Sequence, residues 1–402
     1  MTRNRAALAI PAALVVLSGC GVVAAVTTRT KTVSVVIPRA TEYAPSQPPD
    51  SIIPAATPTP AAPVPAAPVP STYVVGTAPA TGSNEWLEIL SHTGAVVART
   101  EINPMVSWMT AAGAGGAYWA QGGAEYELSP SGAVHKLGAV PADADGVLIG
   151  PDGRSYAYAT MDQTQSGVIT NRIVVVRPGA APVTIADRVS NPASPQPADA
   201  PQGWQYYLIS WNASGIAFAR VPTVGCGCGS FDMQMQSQHS AFIDPTTQVV
   251  TELTSDGNCP LSAVGPGMAT ACFIGSSSTT GLRLSSGGVV RHQYTMSGAN
   301  AAGDAVYSPA GSSLAYITIP NAENTCGATW NATLHVLNLA SGSVASRTLG
   351  AEFTPAVWAA NGLIYGAMSN GTTSWLVAIN PATFSVTRLT PASGNAGFVG
   401  II

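Results

Sequence analysis

Ile149-Gly150-Pro151-Asp152-Gly153-Arg154-Ser155-Tyr156-Ala157-Tyr158-Ala159 is the stretch that decides the fold. One strand ends at Ile149, Pro151-Asp152-Gly153 turns the chain, and a second strand follows. Proline presets φ at the first turn position, and glycine accepts the positive φ that closes the turn. Past the turn, Tyr156 and Tyr158 alternate with small residues, which is the period of a strand.

Weaker copies of this hairpin lie on both sides of it. Val106-Ser107-Trp108-Met109 leads through Ala111-Ala112-Gly113 to Ala117-Tyr118-Trp119. Leu208-Ile209-Ser210-Trp211 leads through Asn212-Ala213-Ser214-Gly215 to Ile216-Ala217-Phe218. Leu261 to Val264 turns at Gly265-Pro266-Gly267, Val306-Tyr307-Ser308 at Pro309-Ala310-Gly311, and Ala356-Val357-Trp358 at Ala360-Asn361-Gly362. Each hairpin is followed by a second one, with turns such as Ser129-Pro130-Ser131-Gly132, Arg177-Pro178-Gly179 and Ala340-Ser341-Gly342. Two hairpins make a four-stranded unit, repeating every roughly 40–60 residues, the pattern of an all-β β-propeller. Recurring Trp108, Trp211 and Trp358 are expected to pack between blades.

The ends complete the count. Tyr73-Val74-Val75, Glu85 to Leu90 and Val96 to Arg99 supply three strands, and Gly397 to Ile402 can supply the missing first one. A blade sharing both termini closes the ring and leaves no open sheet edge there. The expectation is seven blades, or six if the weak Leu261–Tyr294 unit merges with a neighbour. The hairpins at Pro151-Asp152-Gly153 and Ser308-Pro309-Ala310-Gly311, each followed by a small-aromatic-small strand, resemble the repeats of TolB-like propellers. The resemblance covers most of 73–402 and implies the fold and a place outside the cytoplasm, with no partner carried over.

The N-terminus reads as an address. Arg3 and Arg5 precede an apolar run, Ala6 to Val16, and then Leu17-Ser18-Gly19-Cys20. This resembles a bacterial lipobox, which implies cleavage before Cys20 and acylation of that cysteine. Gly21 to Val26 remain apolar, so Ala6 to Val26 also approaches the ~20 residues of a membrane span. An uncleaved anchor and ordinary cleaved secretion are the alternatives. The expected division is 1–20 signal, 21–71 linker and 72–402 propeller. In the linker Pro58, Pro60, Pro63, Pro65, Pro68 and Pro70 nearly alternate, which favours extended polyproline with a reach on the order of 80 Å.

Only 9% of residues are charged and the net charge is −4, with no basic stripe, so nucleic acid is not an expected partner. No G-x-S-x-G elbow or H-E-x-x-H pair is present. His92, His135, His239, His292 and His335 are scattered. Asp143 and Asp145 alone are too few for a Ca²⁺ site.

Besides Cys20 there are five cysteines: Cys226, Cys228, Cys259, Cys272 and Cys326. Outside the cytoplasm cysteines pair. Cys259 and Cys272 flank the Gly265-Pro266-Gly267 turn, so a Cys259–Cys272 bridge is expected, with Cys226 or Cys228 joined to Cys326. A bridge set linking Cys226 and Cys228 to Cys259 and Cys272 is equally open, and one thiol is left over in either case. The Pro222–His239 loop also holds Met233, Met235 and His239, and with Cys226 and Cys228 these are soft ligands suited to Cu(I). The sequence therefore points to a membrane-anchored monomer in the bacterial cell envelope, binding a protein or glycan through its loop face without a cofactor. A propeller hydrolase or lyase acting on envelope polymer and a copper-binding module are the alternatives.

Overall fold

The computed structural model describes residues 72–402 apart from 81–83, 104–109, 114, 143, 165–166, 191–203, 223–238, 255–258, 260, 277–278, 297–299, 321–330 and 391–395. All described strands fall into seven four-stranded antiparallel sheets. The protein is a seven-bladed β-propeller, and the six-blade alternative is set aside. From hub to rim, blade 1 is Gly397–Ile401, Val74–Pro79, Glu85–Leu90 and Val96–Ile102. Blade 2 is Thr110–Ala112, Ala117–Gln121, Ala124–Leu128 and Val134–Ala139. Blade 3 is Ala144–Ile149, Tyr156–Gln163, Ile169–Val176 and Val183–Ser190. Blade 4 is Trp204–Asn212, Gly215–Pro222, His239–Ile243 and Val250–Thr254. Blade 5 is Leu261–Val264, Ala269–Ser276, Thr279–Ser286 and Val289–Met296. Blade 6 is Asn300–Tyr307, Ser313–Pro320, Thr333–Asn338 and Val344–Thr348. Blade 7 is Glu352–Trp358, Ile364–Ser369, Ser374–Ile379 and Val386–Arg388.

The deciding hairpin folds as its residues dictate. Gly153 N–H donates to the Gly150 carbonyl (2.9 Å), and Gly153 sits at φ 66°. Asp152 caps the turn: Ser155 N–H (2.8 Å) and Arg154 N–H (3.0 Å) donate to its Oδ1, and the Ser155 hydroxyl to its Oδ2 (2.7 Å). Partial burial opposes the Asp152 charge, but these donors outweigh it and hold the carboxyl below its ordinary range. Blade 6 repeats the device, with Gly311 N–H on the Ser308 carbonyl at 2.8 Å and Gly311 at φ 67°. In blade 2 the turn differs from the expectation. Ala111 and Ala112 pair in the strand, and the chain turns at Gly113 to Gly116 instead.

Each seam between neighbouring blades holds its own apolar cluster. Between blades 3 and 4, Ile173, Val175 and Ile185 meet Trp204, Leu208 and Phe218. Between blades 6 and 7, Ile317 and Leu334 meet Phe353 and Ile364. Among the described residues the seam between blades 4 and 5 has the smallest cluster, Ala217, Phe242 and Leu253 against Leu261. Trp211 and Trp358 pack partly buried on the clusters of seams 3/4 and 6/7, as expected, while Trp108 lies outside the described residues.

At the hub, six of the seven innermost strands carry a β-bulge against the second strand. The extra residues include Gly146, Ile209, Ser262, Ala356 and Val399. A bulge sharpens local twist and frees a residue from the ladder. Between blades 5 and 6 the freed groups meet: Ala305 N–H donates to the Ser262 hydroxyl at 3.0 Å.

Candidate functional site

A cleft of about 400 Å³ opens between the rim strand of blade 3 and the face of blade 4. Blade 3 contributes Ile185, Ala186, Asp187 and Arg188, four residues in a row. Successive side chains of a strand point to opposite faces, so a consecutive run means the strand presents its backbone edge. Blade 4 contributes alternate residues instead: Phe218 and Arg220, then His239, Ala241 and Ile243, then Val250 and Glu252. Spacing by two is the signature of a sheet face. The cleft is therefore an edge set against a face.

Cross-strand register builds the polar end of that face. Tyr206 pairs with Arg220, and Arg220 with His239, which places the three in one row across blade 4. The next row is Leu208, Phe218, Ala241 and Glu252. The Arg220 guanidinium lies 4.9 Å from the centre of the Trp204 ring. Trp204 in turn meets Tyr206 edge-on at 5.1 Å, and Tyr206 meets Phe218 at 90° and 5.2 Å. Asn171 Nδ2 donates to the Trp204 carbonyl at 2.8 Å, tying this aromatic stack to blade 3.

The electrostatics leave two cations uncommitted. Asp187 faces Arg172 at 3.7 Å, and Arg172 also binds Asp162. Arg188 and Arg220 form no ion pair among the described residues, and Arg220 Nε is buried without a hydrogen-bond partner. Burial pushes the Tyr206 hydroxyl up to about 12, against the pull of the Arg220 and Arg188 charges, with Asp187 adding to the rise. Tyr206 is thus a neutral donor at physiological pH.

The residues singled out in the sequence are spread differently. Cys259, just ahead of the first strand of blade 5, and Cys272 on the second strand form a disulfide with Cα atoms 5.2 Å apart. That pairing removes the alternative set in which Cys259 and Cys272 bond Cys226 and Cys228. Cys20, Cys226, Cys228, Cys326, Met233 and Met235 lie outside the described residues, as does Asp143. His239 opens the third strand of blade 4 and lines the cleft. Asp145 sits half-buried on the innermost strand of blade 3, where desolvation raises its pKa. His335 stacks on Tyr316 at 4.8 Å and shares a 2.8 Å hydrogen bond with Thr318, a core role. Among the described residues no three His, Cys, Asp or Glu side chains gather as a metal site would.

Arg188, Arg220 and Tyr206 were absent from the sequence-derived candidates. The first strand of blade 4 starts at Trp204, ahead of the Leu208 start expected, and the alternation of Trp204, Tyr206 and Leu208 is the period-two signal that marks it.

No family model matches the chain, and no curated protein matches it. Solved structures align with the chain. Acylaminoacyl peptidase from Pyrococcus horikoshii aligns with a TM-score of 0.50 at 10% identity, over 80% of this chain and 50% of that one. The chain thus spans about half of that peptidase. A putative TolB from Agrobacterium tumefaciens aligns with a TM-score of 0.37 at 14% identity, over 69% of this chain and 90% of its own. An oligogalacturonate lyase from Vibrio parahaemolyticus aligns with a TM-score of 0.47 at 8% identity, over 78% and 92%. At 10% identity the likeness to the peptidase extends to the propeller architecture and no further.

Proposed function

We propose that this protein is a tethered extracytoplasmic binding module, holding a rigid propeller off the membrane to capture a partner in the cell envelope. The observation that carries this reading is the cleft between blades 3 and 4, where a sheet edge without a further strand among the described residues carries Arg188 and faces Arg220, neither of them ion-paired among those residues. A binding surface needs such unsatisfied, preorganised groups, and it needs no nucleophile or acid–base pair. The lipobox-like Leu17-Ser18-Gly19-Cys20 and the proline-rich 45–70 stretch supply the anchor and the spacer in this reading.

The test is crosslinking in the intact envelope. Full-length protein carries an affinity tag in the exposed Ser341-Gly342 turn and is compared with an Arg188→Glu variant and a Cys20→Ala variant. The reading expects a discrete crosslinked partner, and release of the Cys20→Ala protein from the membrane fraction. A chain that fractionates with the cytoplasm, or that crosslinks to nothing, overturns it.

A further inference from the structure

We infer that the cleft between blades 3 and 4 is a docking groove for an extended acidic peptide, which adds as a fifth strand to the rim of blade 3. This rests on the binding reading above and narrows it to one class of partner.

Three observations on the two walls point the same way. Among the described residues the rim strand Val183–Ser190 has a strand partner on one side only, so its other edge offers a row of N–H and C=O groups to an added strand. Its ladder shifts between Ile173 and Val174 of the neighbouring strand, leaving Ile185 as the extra residue on the rim strand. From Ala186 to Ser190 the register is then unbroken, long enough for an added strand to pair. The bulge turns Ile185 into the buried cluster of the seam, which anchors the edge rather than blunting it along its whole length.

The opposite wall supplies the side-chain code. A peptide paired on the rim strand projects alternate side chains onto the face of blade 4. There they meet Arg220, held by the Trp204 ring, together with the Tyr206 hydroxyl and His239. Arg188 flanks them from the edge itself. Guanidinium forks bind carboxylates bidentately, so the residues presented to this row are Asp or Glu. Arg172, 3.7 Å from Asp187, offsets part of that carboxylate's repulsion, although the Asp187 charge still bears on Tyr206. Glu252, one row further on, repels acid and so fixes where along the peptide the acidic residues fall.

A glycan fits less well. Sugars are held by exposed aromatic faces, and the rings in this cleft are buried: Tyr206 is 3% exposed and Phe218 5%.

The experiment uses the full chain in detergent micelles and a fluorescein-labelled nonapeptide of alternating Glu and Val, followed by fluorescence polarisation. Companion probes are the Gln-for-Glu peptide, the same Glu peptide N-methylated at alternate amides, a Lys-for-Glu peptide, and an oligogalacturonate. The expected results are saturable binding of the Glu peptide, and at least about tenfold weaker binding of the Gln and N-methylated peptides. Arg188→Glu weakens the Glu peptide by a similar factor and gains affinity for the Lys peptide; this exposed side chain can be reversed without disturbing the core. Equal binding of the N-methylated peptide, indifference to Arg188→Glu, or preference for the oligogalacturonate would overturn the groove. If the crosslinked envelope partner survives Arg188→Glu and is not displaced by the Glu peptide, this inference falls while the binding reading stands. If neither partner nor peptide binds, both fall.

Discussion

Tyr73 and Ile402 hold each other by both backbone groups: Tyr73 N–H donates to the Ile402 carbonyl at 3.1 Å, and Ile402 N–H to the Tyr73 carbonyl at 3.0 Å. Residues at the two ends of the propeller thereby close its first blade, with Val74 paired to Ile401 and Gly76 to Phe398. Phe398 and Ile401 pack on the cluster between blades 7 and 1, and Val399 and Ile402 on the cluster between blades 1 and 2. The last six residues thus seal two seams at once.

Deleting 397–402 should therefore cost far more than six residues at a loose terminus. The ladder bonds contribute about 1 kcal/mol each and the packed side chains a comparable amount, for a loss on the order of 5 kcal/mol or more. Thermal unfolding followed by circular dichroism should show a much lower midpoint and a broadened transition. A midpoint unchanged from the parent would mean that the ring is not closed by this strand.

The Cys259–Cys272 bridge closes a loop with a sequence separation of 13. Loop-closure entropy gives about 3 kcal/mol for a ring of that size. The bridge pins the entry to blade 5 beside the seam with the smallest apolar cluster. The Cys259→Ala/Cys272→Ala double variant should lose about 3 kcal/mol in urea unfolding. Reductant should lower the parent by more than the variant, the difference being this bridge's share; an equal response in parent and variant would contradict its contribution.

Much of this fold is written in local signals. The turn residues at Gly150 to Gly153 and Ser308 to Gly311 act within four residues of chain, so they read correctly. A further mark lies in the outer strands. The outer strand of every blade opens with a valine: Val96, Val134, Val183, Val250, Val289, Val344 and Val386, each between 39% and 53% exposed. A β-branched residue there favours extended backbone just past the turn without needing a core, and its sevenfold recurrence counts the blades directly. The hub bulges carry no such mark, because Gly146, Ile209, Ser262, Ala356 and Val399 share no side-chain property. The cleft was hidden for another reason. Arg188 and Arg220 are brought together by an edge and a face that meet only once two blades have folded.

Tyr118 ties the deciding hairpin to the blade before it. Its hydroxyl donates to the Gly153 carbonyl at 2.9 Å and accepts from Gly115 N–H at 3.2 Å. Burial, reinforced by the Glu127 charge, pushes that hydroxyl up to about 12. Tyr118→Phe keeps the ring and strands a carbonyl and an N–H, at a cost of about 1–3 kcal/mol. A chemical denaturation midpoint unchanged from the parent would show that the bond contributes nothing.

Glu125 lies on the third strand of blade 2, fully buried, with neither carboxylate oxygen hydrogen-bonded. Its strand partner is Ala120, part of the apolar cluster at the seam with blade 3, and its charge bears on Tyr156 of that cluster. Desolvation pushes the carboxyl from 4.5 up to about 8, so the folded protein keeps a proton that the unfolded chain releases. The sign follows from linkage: between pH 4.5 and about 8 the unfolded state binds fewer protons, so stability falls as pH rises, and it levels off above. The window is wide enough for a loss on the order of 5 kcal/mol. Glu125→Gln removes the titration and keeps the shape, with a cost that does not vary with pH. Melting curves at pH 5, 7 and 9 should therefore diverge, the variant gaining on the parent at each step. Asp145, whose pKa burial also raises, is common to both proteins and cancels in the difference. Parallel curves across that range would place a charged or solvated carboxylate at Glu125 and remove the protonated seam.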